Sequence, residues 1–428
     1  MKIAIIGAGF TGLAAASELV EAGHSVTVFE AASQAGGLAG GFKLADWTWS
    51  LENHYHHVFE TDRDFRNWLK KFNLDQHLFF KEAETYTLTS QHLAKLDTPM
   101  SLLKFPGLSW FSKIRTGASL VFFKIWPWGK LLEKFTAANF CRLTMGKKAW
   151  EVLWQPLFVG KFDDQAEQIN AAWFWARIHI RSKKLGYYRQ GFQQLADEVV
   201  KKLSQQGVKF IFQAPIKQLA EIDHWLQIDW ANQQQSFDRV LFTGSSEQLL
   251  KLASPLLPMT YQQQLASHKF LAAMTLVLIM DHKFFDQPIY WLNINQPNWP
   301  FLAVVEHTNL LADRYYKGQK VVYVGKYLAK DESLFKTATA EKLLKVYQPY
   351  LEKLSPGFAK HVKKQLLFKA EFAQPIVKLN HSSQLPQINT PHGQLFWAGM
   401  QQIYPFDRGI NYAVKLGCDA AQKILVSA

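Results

Sequence analysis

The sequence predicts an α/β protein of about two or three domains, since its 428 residues exceed what one hydrophobic core normally spans. Two further observations support this. The first thirty residues read strand, glycine turn, helix, strand. Beyond residue 260, apolar strand-like runs such as "FLAAMTLVLIM" alternate with helical stretches.

Composition narrows the class. Apolar residues make up 48% and charged residues 19%, as expected of a globular protein with a large core. Aromatics reach 14%, with 15 Trp, which suits a protein enclosing a flat or greasy ligand as well as ordinary core filling. Lys and Arg exceed Asp and Glu by 48 − 35 = 13, which leaves three partners open: nucleic acid, anionic lipid or a phosphorylated ligand. The basic residues are scattered in pairs such as Lys70-Lys71 and Lys201-Lys202, and no nucleic-acid motif occurs, which argues against nucleic acid. Only Cys141 and Cys418 are present, so no disulfide framework is expected and a reducing cytoplasm is. The N-terminus carries no cleavage signal, and residues 270–280 form an apolar run too short to cross a bilayer.

The N-terminal unit holds the strongest signal. In "KIAIIGAGFTGLAAASELVEAGHSVTVFE", Gly7, Gly9 and Gly12 form G-x-G-x-x-G, with Phe10 and Thr11 between. Gly7 allows a tight turn out of the strand. Gly9 lets a pyrophosphate approach the backbone, and Gly12 lets helix and strand pack closely. The helix start offers N–H groups to phosphates. Glu30, followed by Ala31, ends the second strand where a ribose diol would lie. A second pair, Gly36-Gly37, then precedes Leu38, and a nicotinamide site does not need it.

On these residues the chain resembles the flavin-containing amine oxidase superfamily, nearest in look to protoporphyrinogen oxidases and phytoene desaturases. The resemblance implies FAD, with the second glycine pair near its phosphates. It implies a Rossmann-like FAD-binding domain with an inserted α+β substrate domain, the two-domain architecture of amine oxidases and glutathione reductase. No second G-x-G-x-x-G occurs, so one dinucleotide is the simpler account.

The stretch "LENHYHH" follows a predicted hairpin turning at "LADW". The resemblance places it along the flavin ring, with His54 where the family often has glycine. Three readings of His54, His56 and His57 stay open: a metal site, buried structural roles, and lining of flavin or substrate. A metal would need three or four convergent ligands, and a strand alternates its faces, so no metal is expected. His54 and His56 are the candidates for a site role, with Tyr55 beside substrate.

Residues 62–82 predict a helix capped by Asp62 and closed near Asn73. Residues 100–150 read as helical, with aromatics interleaved by Lys104, Lys113, Arg115, Lys124, Lys130 and Lys134. Such a segment can lie on an anionic membrane surface or be a substrate-domain helix with solvated lysines. "WQPLFVGKFDDQ" resembles a Pro-hydrophobic-x-x-Gly-x-aromatic stretch of protoporphyrinogen oxidases. After it, Arg177 and Arg181 share a helix edge that could meet an acidic substrate or pair at the surface.

"GYYRQGFQQL" resembles the family's glycine-pair helix, with Gln190 in place of one glycine. The resemblance implies that Ile216 brackets the adenine and that Gly244 lies near the phosphates. Glu306, His307 and Lys326 are polar candidates in the next segment: Glu306 for substrate, Lys326 for the lysine that reaches flavin through a water in monoamine oxidases.

The C-terminal "FWAGMQQIYPFDRGINYAVKLG" is a second match. It implies that Gly399, Met400, Gly409, Ile410 and Asn411 hold the flavin end of FAD, the helix start facing the ring's C2 oxygen. Met400 stands where the family has an acid, with Gln401 or Asp407 as substitutes. Tyr404 is expected as an aromatic wall for substrate.

The expected division is 1–82, 186–259 and 381–428 for FAD, with 83–185 (helical) and 260–380 (sheet) for substrate. The expected function is an FAD-dependent oxidoreductase taking hydride from a C–H or C–N bond of a small apolar or amphiphilic substrate. A redox-neutral enzyme resembling UDP-galactopyranose mutase and an amine oxidase are the alternatives. The expected location is cytoplasmic, peripheral to the inner face of the membrane.

Overall fold

A computed structural model describes residues 1–427. A five-stranded parallel sheet gathers segments from across the chain, in the order Lys209–Ile211, Ser25–Phe29, Lys2–Ile6, Arg239–Phe242, Leu395–Trp397. Its strands are apolar on both faces, because helices cover one and the antiparallel sheet of Ile216–Ile222, Trp225–Trp230 and Gln233–Phe237 packs on the other. On one face the helix Phe10–Glu21 packs against the terminal helix Ile410–Val426. The contact is close because Gly417 has no side chain: a Cβ there would lie 2.2 Å from the Thr11 carbonyl oxygen.

The second layer is a seven-stranded sheet, in the order Val362–Pro375, Phe270–Met280, Lys320–Leu328, Ala303–Glu306, Ile289–Asn295, Glu84–Thr89, Leu93–Lys95. Phe270–Met280 is the buried strand that its apolar run predicts. Two of the strands come from residues 84–95, a segment read as helical. They join the large sheet at its edge because Glu84–Thr89 alternates half-buried and buried residues with period two.

One face of this sheet carries the helix Ala340–Leu354. The other looks toward the glycine-rich domain and the helical segment. That segment contains Pro99–Lys104, Trp110–Ile125, Gln155–Phe162 and Ala171–Ile180.

Three local differences have simple causes. The helix after Asp62 spans Arg63–Lys71 and stops before Asn73, whose φ is +55°; residues 78–82 then form a strand beside Lys184–Tyr188. Asp62 sits at the N-cap, but its carboxylate accepts from the Phe59 N–H (2.8 Å) rather than capping the helix. The hairpin before the histidines pairs only Gly41–Phe42 with Leu51–Glu52, because Trp47 and Trp49 leave the ladder to pack in the core against Tyr316 and Tyr315.

Candidate functional site: a glycine cradle and a cation-lined cavity

The first glycine loop is built from backbone. Gly7 has φ +112°, and a Cβ there would meet Thr243 Oγ1 at 2.3 Å. A Cβ on Gly12 would lie 2.0 Å from the Gly7 carbonyl oxygen. Gly9 differs: an added Cβ would meet only Gly37 Cα, at 3.9 Å, so the space before it is open. The second pair lies against the first, with the Gly36 N–H donating to the Ala8 carbonyl (2.9 Å). Gly36 and Gly37 both have positive φ.

The side chains near the loop keep clear of that space. Phe10 is buried against Trp68 and contributes only backbone. Thr11 is half-buried, and Ala31 and Leu38 are exposed. The Glu30 carboxylate accepts from the Ala8 and Ala32 N–H groups (2.8 and 2.9 Å), which fixes it at the end of its strand with lone pairs to spare. Ile216 opens the strand beyond Ala214, whose N–H donates to the Glu30 carbonyl, so it lies beside that same edge.

Several helices start without a side-chain cap or an acid in the first turn, and two of these, Phe10–Glu21 from Gly9 and Ile410–Val426 from Gly409, start at a glycine with open space before it. Elsewhere Thr98, Ser109, Thr136, Asn170, Ser245 and Thr339 cap their helices. No atom lies within 4 Å of where a Gly409 Cβ would stand. Orphan N–H groups facing open space suit anionic or electron-rich oxygens. Asn411 turns its side chain away from that space: its amide oxygen accepts from the Phe65 N–H (2.9 Å).

Gly244 and Gly399 are packing glycines. A Cβ on Gly244 would meet the Phe242 ring at 2.6 Å, and one on Gly399 would meet Trp397 Nε1 at 2.6 Å. Met400 is half-buried in the turn after them. Of the two substitutes, only Gln401 keeps a free acceptor, its buried amide oxygen. Gln401 donates to Ser246 Oγ (3.0 Å), and Asp407 is bound by cations.

The three histidines have separate partners. His54 Nδ1 pairs with Thr275 Oγ1 (2.7 Å), and His56 Nδ1 with the His54 carbonyl (2.7 Å). His57 sits edge-on to Phe59, its Nδ1 without a partner. Burial holds all three neutral, pushing His54 and His57 down to about 3 and His56 to about 4. Nearby guanidinium groups add to the effect: Arg408 on His54 and His56, Arg181 and Arg177 on His57. Among the described residues, no group of three or more His, Cys, Asp or Glu side chains could hold a metal.

Arg408 and Arg177 belong to a cavity that the sequence reading did not assemble. Asp407 is the carboxylate these cations share, together with Lys161. Lys161 Nζ donates to Asp407 Oδ2 (2.8 Å), and Arg177 donates to the same oxygen. Arg408 donates to Gln374 Oε1 and to the Tyr327 hydroxyl. The Trp173 ring faces both Lys161 and Arg177, each 5.1 Å from its centroid. The neighbouring cations, Lys161 first, then Arg177 and Arg408, hold the Asp407 carboxyl well below its ordinary range despite burial. Tyr55 closes one side, its hydroxyl 2.9 Å from where a Gly325 Cβ would stand. Phe406 stacks on Tyr412, with centroids 4.6 Å apart.

Other expected residues lie elsewhere. Gly325 faces Tyr55, and Tyr327 contacts Arg408; Lys326, between them on the strand, points to the opposite face of the sheet. It is not placed to reach the cavity. Glu306 is fully buried and accepts from the Phe284 and Phe285 N–H groups (3.0 and 2.8 Å), so it ties a loop. His307 pairs with the Tyr316 hydroxyl (2.9 Å). Tyr404 packs on the His381 ring beside Glu133.

Comparison with known proteins then decides the family. The family model described as flavin containing amine oxidoreductase matches residues 10–425. The chain belongs to this family. As a member it is an FAD-type flavoprotein, and the open glycine cradle and the two uncapped helix starts fit such a cofactor.

Among its relatives, an L-amino-acid oxidase from Sistrurus catenatus edwardsii is 33% identical over 109 residues, which is 24% of this chain and 21% of that protein. A zeta-carotene desaturase from Synechocystis sp. is 38% identical over 91 residues, 21% and 18% of the two chains. The aligned segments thus span about a fifth of these curated relatives. Solved structures match over nearly the whole chain. A protein assigned as a protoporphyrinogen oxidase, from Exiguobacterium sp., gives a TM-score of 0.77 at 15% identity, covering 100% of this chain and 99% of that one. A cyclohexylamine oxidase from Brevibacterium oxydans gives 0.74 at 14% identity, covering 99% and 98%. At these identities the likeness is one of fold.

Proposed function

We propose that this flavoprotein is an oxidoreductase that takes hydride from a C–H or C–N bond of a small amphiphilic substrate. The carrying observation is that His54, Tyr55, Tyr327 and Arg408, each only part-buried, gather beside the open start of the last helix at Gly409. FAD, when bound, supplies the hydride acceptor. In this reading Gly7, Gly9, Gly12, Gly36 and Gly37 offer backbone to its phosphates, and Glu30 holds a ribose. The residues at 409–411 present N–H groups to the ring's pyrimidine edge. The neutral imidazoles of His54 and His56 leave the cavity's charge to the cations. Aromatic walls exclude water.

The segment from Trp110 to Phe135 supports a peripheral site of action. Residues 98–132 hold five basic residues and no acid. Trp110 (63%), Phe111 (68%) and Ile125 (71%) are exposed on one helix, with Trp128 and Leu131 just after it. Exposed aromatics among lysines are what an anionic bilayer attracts. No helix among the described residues is long and apolar enough to cross a membrane.

Two measurements test this. The purified protein should be yellow, and an anaerobic metabolite and lipid screen should find a compound that bleaches its flavin band. A compound turned over with no net electrons consumed would favour the mutase-like alternative. Flotation with phosphatidylglycerol vesicles should carry the protein, and Trp110→Ser with Phe111→Ser should abolish flotation. Equal flotation of the double variant ends the membrane reading.

A further inference from the structure

The cavity's charges do not balance. Lys161, Arg177 and Arg408 face a single carboxylate, Asp407. The other titratable groups facing them are Tyr55, Tyr327 and the neutral histidines. Arg181 adds a fourth cation near Arg177, with only Asp97 opposite. Lys161 and Arg408 lie deep in the molecule, yet their side chains keep 14% and 23% of their surface accessible, and that of Arg177 keeps 39%. They line a space rather than pack into a core. Cations gathered in such a space without counter-charge are costly, and an anion that enters removes that cost.

The proposed cofactor does not supply this anion. In the reading above its phosphates lie at the first helix, whereas these cations surround the turn into the last one. The carrier of Arg177 points to the anion's source. The helix Ala171–Ile180 presents Trp173 and Arg177 to the cavity. Its Trp175 donates to the Trp126 carbonyl (2.8 Å), and its His179 carbonyl accepts from Lys124 (2.9 Å). One helix thus separates the cavity from the exposed aromatic segment.

We propose that the substrate is an anionic amphiphile whose carboxylate or phosphate binds between Arg177 and Arg408, with Asp407 holding Lys161 beside them. This rests on the reading of the cavity as the substrate side of the flavin.

The test uses the full-length, FAD-loaded protein at low salt. Dodecyl phosphate, dodecanoate, dodecanol and dodecyltrimethylammonium are titrated below their micelle concentrations, with binding followed by the flavin band and by calorimetry. One or both anions should bind at least tenfold more tightly than dodecanol, and the cation more weakly than either; the two anion arms tell phosphate from carboxylate. Arg177→Met should cost at least tenfold in anion affinity at unchanged flavin content, while Arg177→Lys, which keeps the charge, should cost less. The Lys variant also serves if the Met variant does not fold.

Equal binding of dodecanol and the anions overturns the proposal, as does unchanged anion affinity in Arg177→Met. Anion binding without any substrate-driven bleaching would sustain this inference while the oxidoreductase reading fails. Bleaching by a neutral compound that ignores Arg177 would do the reverse.

Discussion

The first and last helices start alike and are furnished differently. Each begins at a glycine in extended backbone, with no side-chain cap and no acid in its first turn. The two pack together, with Gly417 against the Thr11 carbonyl. Around Gly9, however, the surroundings are backbone: Gly7, Gly36 and Gly37. Before Gly409 stand Asp407 and Arg408, with Lys161 and Arg177 brought in from helices far away in sequence. The first start is shaped by the absence of side chains, and the second is tuned by charge. The same backbone device can therefore hold a phosphate at one end of a molecule and face a chemically specific cavity at the other.

The sharpest way to break the first region is Gly12→Val. Its Cβ would lie 2.0 Å from a backbone oxygen, so strand and helix must separate. The expected outcome is protein with no retained flavin absorbance and a large drop in unfolding temperature, or no soluble protein at all. Near-normal flavin content in this variant would refute the close-packing account of the cradle.

The corresponding break in the second region is Asp407→Asn. It leaves Lys161, Arg177 and Arg408 without their shared carboxylate. Removing one partner of a buried ion pair typically costs about 3–5 kcal/mol. The denaturation midpoint should fall accordingly, and millimolar phosphate should recover part of the loss. Glu306→Gln, in a site closed by backbone donors, should cost about 1–3 kcal/mol, with no response to phosphate.

These regions also differ in how legible they are in sequence. The glycine cradle is local: Gly7, Gly9 and Gly12 sit on one turn, and their spacing alone carries the geometry. The pairing of Gly36 with Gly9 is only a short loop away. Lys161, Arg177 and Asp407 are 16 and 230 residues apart along the chain, and nothing in their local patterns marks them as neighbours. Arg177 was visible as a cationic helix edge. Lys161, inside "PLFVGKF", has no local pattern that sets it apart from other helix lysines. The one available signal is the doublet Asp407-Arg408 directly before the last helix, in a turn otherwise apolar. Lys326 failed for a related reason: its register on the strand, one residue from Tyr327, decides which face it takes.

The histidines offer a pH test of the second region. An unfolded imidazole protonates as pH falls through about 6.5, whereas the folded rings resist until about 4 for His56 and about 3 for His54 and His57. Between those values the unfolded chain binds more protons, so stability is present above pH 6.5 and falls as pH falls. The unfolding temperature should drop between pH 7 and pH 4.5. His57→Phe removes a ring whose Nδ1 has no partner and keeps its edge contact with Phe59, so the drop should lessen. An unchanged slope would mean that these rings are hydrated and titrate normally.

The smallest expected stability effect is at Gly409, and it separates the two helix starts most cleanly. Its φ is −176°, which alanine adopts without strain, and no atom lies within 4 Å of the new methyl. Gly409→Ala should stay within about 0.5 kcal/mol of the parent. If the open space there receives the flavin ring, the methyl will stand against the ligand, and flavin retention will fall although the fold does not. Loss of flavin at unchanged unfolding temperature of the flavin-free protein is therefore the expected pair of results. Loss of both together would place Gly409 with Gly12, as a residue the packing requires. Loss of neither would mean that the open space before the last helix is not where the cofactor lies, leaving the first cradle as the only anchored end.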